Sequence, residues 1–447
     1  MPSRFILLLA TLSLFAQQDP TIHLDVQQVL VPVIVTDKKG HHVTGLHASD
    51  FKLYEDGAPQ AIASFSTDTA GSVEDVASLG NTSATTPAQS GPRRTFVICI
   101  DTLHTAPANA ARFREALQNL FEKEKPTDAQ YVLIAIGRQM QVLQAATSNP
   151  LALLIKLRGP GFQSAMGGLD ASALASELQN IRSRMDDFCK RCACGTRPSR
   201  QNCDSEIDTL KQNVDAVADR WTAPTNGMLE QFTSVVGELA KIPTGRALIL
   251  ISDGFNVNPK REFYDAVAGY LPNRPQFKLE QPKDVESGLR DALKIAADRN
   301  ITIYSVDSRG AATASLASSG PIDAGSSGYG TPSSQIGLGN GRNSAPSLRS
   351  GGLSNASTPQ ANPFASADSA TMEQLARSTG GVYYHEGGDL LKDFKGAMAD
   401  GREYYVLAYV PKNSAQDGKF RHITVETTAK NVSIRAKEGY WAPGAAQ

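Results

Sequence analysis

The chain has 447 residues, with 44 Lys and Arg against 45 Asp and Glu, a net charge of -1 and 7% aromatic residues. Its length predicts a core domain with additions rather than one ordinary domain. The balanced charge and the lack of any basic run exclude nucleic acid as a partner, and no segment after the first twenty residues is apolar enough for a membrane span.

The N-terminus has Arg4, an apolar stretch over residues 5–15, then Ala16 followed by Gln17, Gln18, Asp19 and Pro20. This is the pattern of a secretory signal over residues 1–16, removed on export or else kept as an anchor. An exported mature chain (periplasmic, cell-envelope or secreted) without a membrane span is the expectation. Residues 24–37 alternate, with Val29, Val31, Val33 and Val35 on one face, and predict a strand in which Pro32 favours a sheet edge. Residues 43–46 read as a short strand, 48–51 as a helical turn capped by Ser49, and 51–54 and 60–66 as strands around the turn signal Asp56–Gly57. A small antiparallel β module over 25–67 results. Residues 68–92, rich in Ser, Thr, Ala and Gly, read as a linker.

From residue 93 strand and helix patterns alternate. Two apolar runs, RTFVICIDTLHT from Arg94 and RALILISDGFN from Arg246, are unbroken enough to lie inside a parallel sheet covered on both faces, and they carry Asp101 and Asp253 at their ends. Helices are predicted over 107–123, 149–157, 226–240, 285–299, 369–378 and 389–398, and strands over 131–136, 141–145, 301–306 and 382–385. Such alternation predicts an α/β fold, a doubly wound, mostly parallel sheet flanked by helices. The domain spans 93–400, with insertions at 158–224 and 256–281 and a Ser-, Gly-, Ala-, Asn- and Pro-rich stretch at 309–364 that predicts disorder. Strands over 403–409, 421–427 and 432–436 end the chain. The segment 401–441 is expected to pack with the N-terminal module, since neither buries two faces alone.

Five cysteines are present. Cys99 lies inside an apolar strand and reads as a small buried hydrophobe. Cys189, Cys192, Cys194 and Cys203 follow C-x2-C-x-C-x8-C, which in an oxidising compartment predicts two disulfides of undetermined pairing, a four-thiolate zinc site being the alternative.

In open parallel sheets ligands bind beyond the carboxyl ends of the strands, where Asp101 and Asp253 fall. Two carboxylates there suit a hard cation held by oxygens, or else each caps the helix that follows. His104 reads as a loop or surface residue. There is no H-E-x-x-H, because His385 and Glu386 are followed by two glycines, no P-loop and no G-x-S-x-G, so no catalytic set is recognisable and an enzyme is not expected.

In their order, VLVPVIVTDKKGHHVTGLHASDFKLYEDG, RTFVICIDTLHT, VLQAATSNP, ALILISDGFN, ITIYSVDSRG, EYYVLAYVP and KEGYW resemble a von Willebrand factor A-type domain, and within that superfamily the exported von Willebrand A-related proteins of acidobacterial sequences. The resemblance implies a Rossmann-like core that binds proteins or other extracellular ligands, commonly through a metal-ion-dependent adhesion site built from D-x-S-x-S, a threonine and a further aspartate. Carried across, Asp101 and Asp253 take the first and last positions and Thr105 the second serine, while Leu103 stands at the first. Thr222 and Thr225 are candidates for the threonine. The implied Mg²⁺ or Ca²⁺ site is therefore degenerate. The reading is an exported binding module for an unknown protein or extracellular ligand, the alternatives being a structural part of the cell envelope and a metal-assisted hydrolase using Asp101, His104 and Asp253.

Overall fold

The structure is a computed structural model that describes residues 28–68, 94–124, 129–166, 168–169, 171–192, 194, 201–242, 245–271, 277, 285–310, 365–385 and 388–444. The predicted signal, all of the linker after residue 68 and most of the predicted disordered stretch lie outside these residues.

Four N-terminal strands come first: β1 (Val29–Asp37), β2 (Phe51–Glu55), β3 (Ala58–Gln60) and β4 (Ile62–Asp68). Residues 43–46 form no strand; the chain just before them makes the isolated bridge Thr36–His42, and the Val43 N–H donates to Val35 O at 2.9 Å. The helical turn Ala48–Asp50 starts from His47, whose N–H donates to the Asp50 carboxylate at 2.8 Å, so His47 and not Ser49 occupies the cap.

The central sheet follows. Its strands are β5 (Arg94–Asp101), β6 (Ala129–Ile136), β7 (Gln141–Thr147), β8 (Gly245–Ser252), β9 (Thr302–Asp307) and β10 (Tyr383–Tyr384), in the order β10-β9-β8-β5-β6-β7. All neighbours are parallel except β6 and β7. Every residue of β5 is buried because helices cover both faces. On one face Phe96, Ile98 and Ile100 meet helices α1 (Pro107–Lys123) and α2 (Pro150–Arg158) through Phe113, Leu117, Leu153 and Leu157. On the other, Val97 and Cys99 meet Phe232 and Val236. Each such side chain contributes roughly 1.5–3 kcal/mol when fully buried, so β5 and β8 anchor the domain.

The segment between β7 and β8 is helical: α3 (Pro160–Ala165), α4 (Ala171–Cys192) and α5 (Gln201–Leu239). The sequence separates an insertion ending at 224 from a core helix starting at 226, but α5 is continuous through Pro224. At 1.5 Å per residue it runs about 58 Å. Its C-terminal half packs on the sheet through Met228, Phe232 and Val236. Its N-terminal half packs with α4 and with α6 (Pro259–Ala268), the helix of the second insertion, around Met185, Phe188, Val214, Trp221 and Phe263. The two insertions thus share one apolar cluster, and neither needs the central sheet to bury its face. Cys189 pairs with Cys194 and Cys192 with Cys203, which ties the end of α4 to the start of α5. With the sulfurs joined in pairs, the thiolates a zinc site needs are absent.

Helix α7 (Val285–Asp298) precedes β9, α8 (Ala365–Ser378) precedes β10, and α9 (Leu390–Asp400) follows it. The last strands are β11 (Tyr404–Tyr409), β12 (Phe420–Thr427), β13 (Val432–Ala436) and β14 (Gly439–Trp441). They return to the N-terminal strands, forming one sheet β13-β1-β11-β4 and a second β14-β12-β2-β3. Val31, Val33, Leu53, Leu407 and Tyr409 fill the space between them. Strand β1 is internal, not at an edge. Yet β13 pairs it only from Val33 onward, so Pro32, opposite Val406 of β11, lies where the other flank is open and a missing N–H is tolerated. Asp400 holds this sandwich to the core, accepting from Arg435 at 2.8 Å and facing His42 Nε2 at 2.8 Å.

Candidate functional site at the sheet switch point

From β5 the chain crosses to β6 on one side, while β8 lies on the other, so the strand order reverses between β5 and β8. In open α/β sheets this is where loops diverge and ligands are bound. Ile100 pairs with Ile251, which sets Asp101 beside Ser252 at the carboxyl ends of the two strands. The chain leaves β8 through Gly254 at φ +88°, and a side chain there would meet Asp368 at 2.9 Å. The turn S-D-G thereby aims Asp253 back at the start of α1.

Asp101 is fully buried and both its oxygens are occupied. Oδ1 accepts the backbone N–H groups of Leu103 at 2.9 Å and His104 at 3.0 Å. Oδ2 accepts the Ser252 hydroxyl at 2.7 Å and faces His104 Nδ1 at 2.9 Å. Burial raises this carboxyl, but the His104 ring and the hydrogen bonds from His104 and Ser252 outweigh it and hold it below the ordinary carboxylate range. The other ring nitrogen, Nε2, lies 3.1 Å from Thr225 Oγ1, and the Thr225 hydroxyl donates back to Trp221 O at 3.2 Å. Two oxygens thus face the two ring nitrogens. Phe255 stacks on the ring with centroids 5.4 Å apart. His104 thus lies in the loop after β5, as the sequence reading allows, but as a nearly buried bridge between Asp101 and Thr225 and not at the surface.

Asp253 serves a different turn. Its Oδ2 accepts the Ala106 N–H and Asn109 Nδ2, both at 2.8 Å, and Oδ1 accepts the Ser308 hydroxyl. Ala106 is the N-cap of α1 and Asn109 is in its first turn, so Asp253 holds the entry of that helix, where negative charge is favoured. Burial pushes its carboxyl up, with Ala106, Ser308 and Asn109 opposing. Next to it, Arg309 binds Asp307 at the end of β9, at 2.8 Å, and Tyr383 donates to the same carboxylate at 3.1 Å.

The structure therefore gathers Asp101, Thr225 and Asp253 at one edge. The Leu103 side chain is in the apolar core. Thr105 is buried and its hydroxyl has no hydrogen-bond partner. Thr222 bonds back along its own helix to Ala218 O at 2.8 Å and to nothing else at the site. Tested against an oxygen-rich cation shell, this donor set does not fit. A divalent ion reaches Asp101 only by displacing the imidazole or one of three other donors, and of the residues the resemblance assigns only Thr105 has an oxygen without a partner. Ser252, Ser308 and Asn109 are site residues that sequence reasoning misses; Ser252 is legible only once the β5–β8 register places it opposite Asp101.

Comparison with protein-family profiles matches none, and comparison with curated proteins matches none. Solved structures similar to the chain include an aerotolerance-related membrane protein from Bacteroides fragilis, crystallised with multiple mutations to serine. It is 9% identical with a TM-score of 0.28, over 68% of this chain and 98% of that one. The conserved hypothetical protein BatB from Bacteroides thetaiotaomicron is 10% identical with a TM-score of 0.21, over 47% of this chain and 65% of that one. A mutant of the PilB minor pilin from Streptococcus sanguinis is 8% identical with a TM-score of 0.27, over 84% and 88%. Likeness at these scores leaves the function to be argued from the chain's own geometry.

Proposed function

We propose that the chain is an exported binding module of von Willebrand A type that engages its partner through the loops at the carboxyl edge of the central sheet, without a resident divalent cation. The observation that carries this reading is the His104 ring lying between Asp101 and Thr225, two of the groups the resemblance assigns as cation ligands. The imidazole takes the position and the electrostatic task of an ion, joining the carboxylate to the neighbouring helix. Binding then rests on ordinary loop contacts, for which the β6–β7 turn with exposed Arg138 and Met140 lies at the same edge. The two disulfides favour an oxidising compartment and hence export. Among the described residues no helix is long and apolar enough to cross a membrane.

Crosslinking of the full chain in its own extracytoplasmic fraction tests the proposal. A partner captured by the wild type and by Lys430→Glu in the sandwich, but lost in Arg138→Glu/Met140→Glu, is the expected result. Capture indifferent to the β6–β7 turn and abolished by Lys430→Glu would move the binding surface elsewhere.

A second reading has one observation in its favour. Asp101, His104 and Thr225 stand in the carboxylate, imidazole, hydroxyl order of a hydrolase triad at 2.9 and 3.1 Å. Against it, Thr225 is 1% exposed and its proton is engaged by Trp221 O. A fluorophosphonate probe that labelled Thr225 would establish the hydrolase; we expect none to be incorporated.

A further inference from the structure

At the opposite, N-terminal edge of the central sheet, where the sandwich meets the core, lies a cleft of about 640 Å³. Its lining includes Arg246, Lys294, Arg299 and Lys437 but a single carboxylate, Asp298, and one wall is formed by Tyr440 and Trp441. Two of the cations have structural partners. Arg246 Nη1 donates to Ala240 O at 2.9 Å, just past the end of α5, and Lys437 Nζ donates to Ala297 O at 2.9 Å and to Asn300 Oδ1 at 2.8 Å, at the end of α7. Cations at helix C-termini are favoured there in any case. That does not account for the rest. Arg246 Nε is buried without a partner, the ammonium of Lys437 has a third donor beyond its two bonds, and Lys294 and Arg299 have only the longer-range attraction of Asp298 among the described residues. Four cations around one carboxylate in a concave, partly desolvated space repel one another and focus a positive potential that an anion relieves. A second space of about 190 Å³ shares Leu30, Arg246 and Asn300 with the cleft and is lined further by Pro32, Ile34, Tyr304 and Asp400, whose carboxylate is held by Arg435.

We propose that this cleft is a binding site for an oxyanion of phosphate type carried on an apolar body, with the charged group among Arg246, Lys294, Arg299 and Lys437 and the apolar part against Tyr440, Trp441 and Leu30. Charge-assisted hydrogen bonds to the guanidinium and ammonium groups supply the polar half of recognition. The aromatic wall supplies the other half. The site is far from the switch-point loops in the fold, at the other end of the same strands, so it is independent of the binding surface proposed above.

The test uses the full chain and phenyl phosphate at fixed ionic strength. The chain has two tryptophans, of which only Trp441 lines the cleft, so tryptophan fluorescence reports occupancy. We expect a saturable change that is lost in Trp441→Phe. Lys294→Gln/Arg299→Gln, both on exposed side chains whose loss leaves the fold intact, should weaken binding by about tenfold or more, and Lys123→Gln at the far end of α1 should leave it unchanged. A response that never saturates, or an equal affinity in the double variant and the wild type, overturns the proposal.

Discussion

Lys437 offers a quantitative test of how the sandwich is joined to the core. Its ammonium is buried at the seam, and loss of water pushes its pKa down from 10.5 to about 8, Asp298 opposing only in part. Between those two values the unfolded chain holds this proton while the folded chain releases it. Unfolding is accordingly helped by protonation, and stability rises as pH climbs through the window. A shift of this size corresponds to roughly 3.4 kcal/mol at about 1.36 kcal/mol per unit, of which about 2 kcal/mol falls between about pH 7 and about pH 9.5. Lys437→Met removes the titrating group. Urea unfolding of both proteins across this range, in a buffer free of phosphate so that anions in the cleft do not add to the signal, should show the wild type gaining about 2 kcal/mol relative to the variant. Taking the difference cancels the buried thiol of Cys99, whose raised pKa acts in the opposite direction in both proteins. Parallel pH profiles for the two would refute the burial of a charged Lys437 at the seam.

Four further outcomes follow from the same reasoning. Asp101→Ala leaves two backbone N–H groups, the Ser252 hydroxyl and the His104 ring without their acceptor and should cost about 3–5 kcal/mol in urea unfolding. Since the Asp101 carboxyl is held below its ordinary 3.8, its stabilisation is complete above that value and is lost as pH falls below it, a dependence that the variant should lack. Thr105→Val removes a buried hydroxyl that has no partner, so it should be neutral or stabilise by about 1 kcal/mol; a loss of more than about 1 kcal/mol would mean that the oxygen is bound to something. In the sandwich, Glu55 accepts the hydroxyls of Tyr409 at 2.6 Å and Tyr440 at 3.0 Å, and Glu55→Leu should cost about 2–4 kcal/mol in thermal unfolding by leaving both unpaired in an apolar core. Finally, reduction of the two disulfides should speed amide exchange in α4 and the first half of α5 while β5 and β8 stay protected, because those helices pack around their own cluster.

The central sheet was legible in the sequence because both-face burial writes itself as an unbroken apolar run. The runs around Val97 and Leu248 and the helical spacing of Phe113, Leu117 and Leu120 have no competing explanation. The insertions were less so. Pro224 reads as a helix boundary, yet the packing of Trp221 on one cluster and Met228 on another holds the helix through it, a tertiary effect that local propensity does not contain. The short strand β14, three residues long, is set by pairing with β12 rather than by any pattern of its own. At the site, the carboxylates were legible and their partners were not. Asp101 and Asp253 end two recognisable strands, but Ser252 reaches Asp101 only through the strand register, and Thr225 reaches His104 across 121 positions of chain. A histidine beside an aspartate looks unremarkable in one dimension. Only the fold shows that its far nitrogen has a partner.

The most direct measurement is a Mn²⁺ titration of the chelator-stripped full chain followed by electron paramagnetic resonance, with the free-ion signal as the readout. If His104 holds the place between Asp101 and Thr225, the signal grows in proportion to added metal, and the same is seen for Asp101→Asn. A saturable site that takes up one ion per chain in the wild type and is lost in folded Asp101→Asn would contradict the account, and would place a cation where the structure has an imidazole.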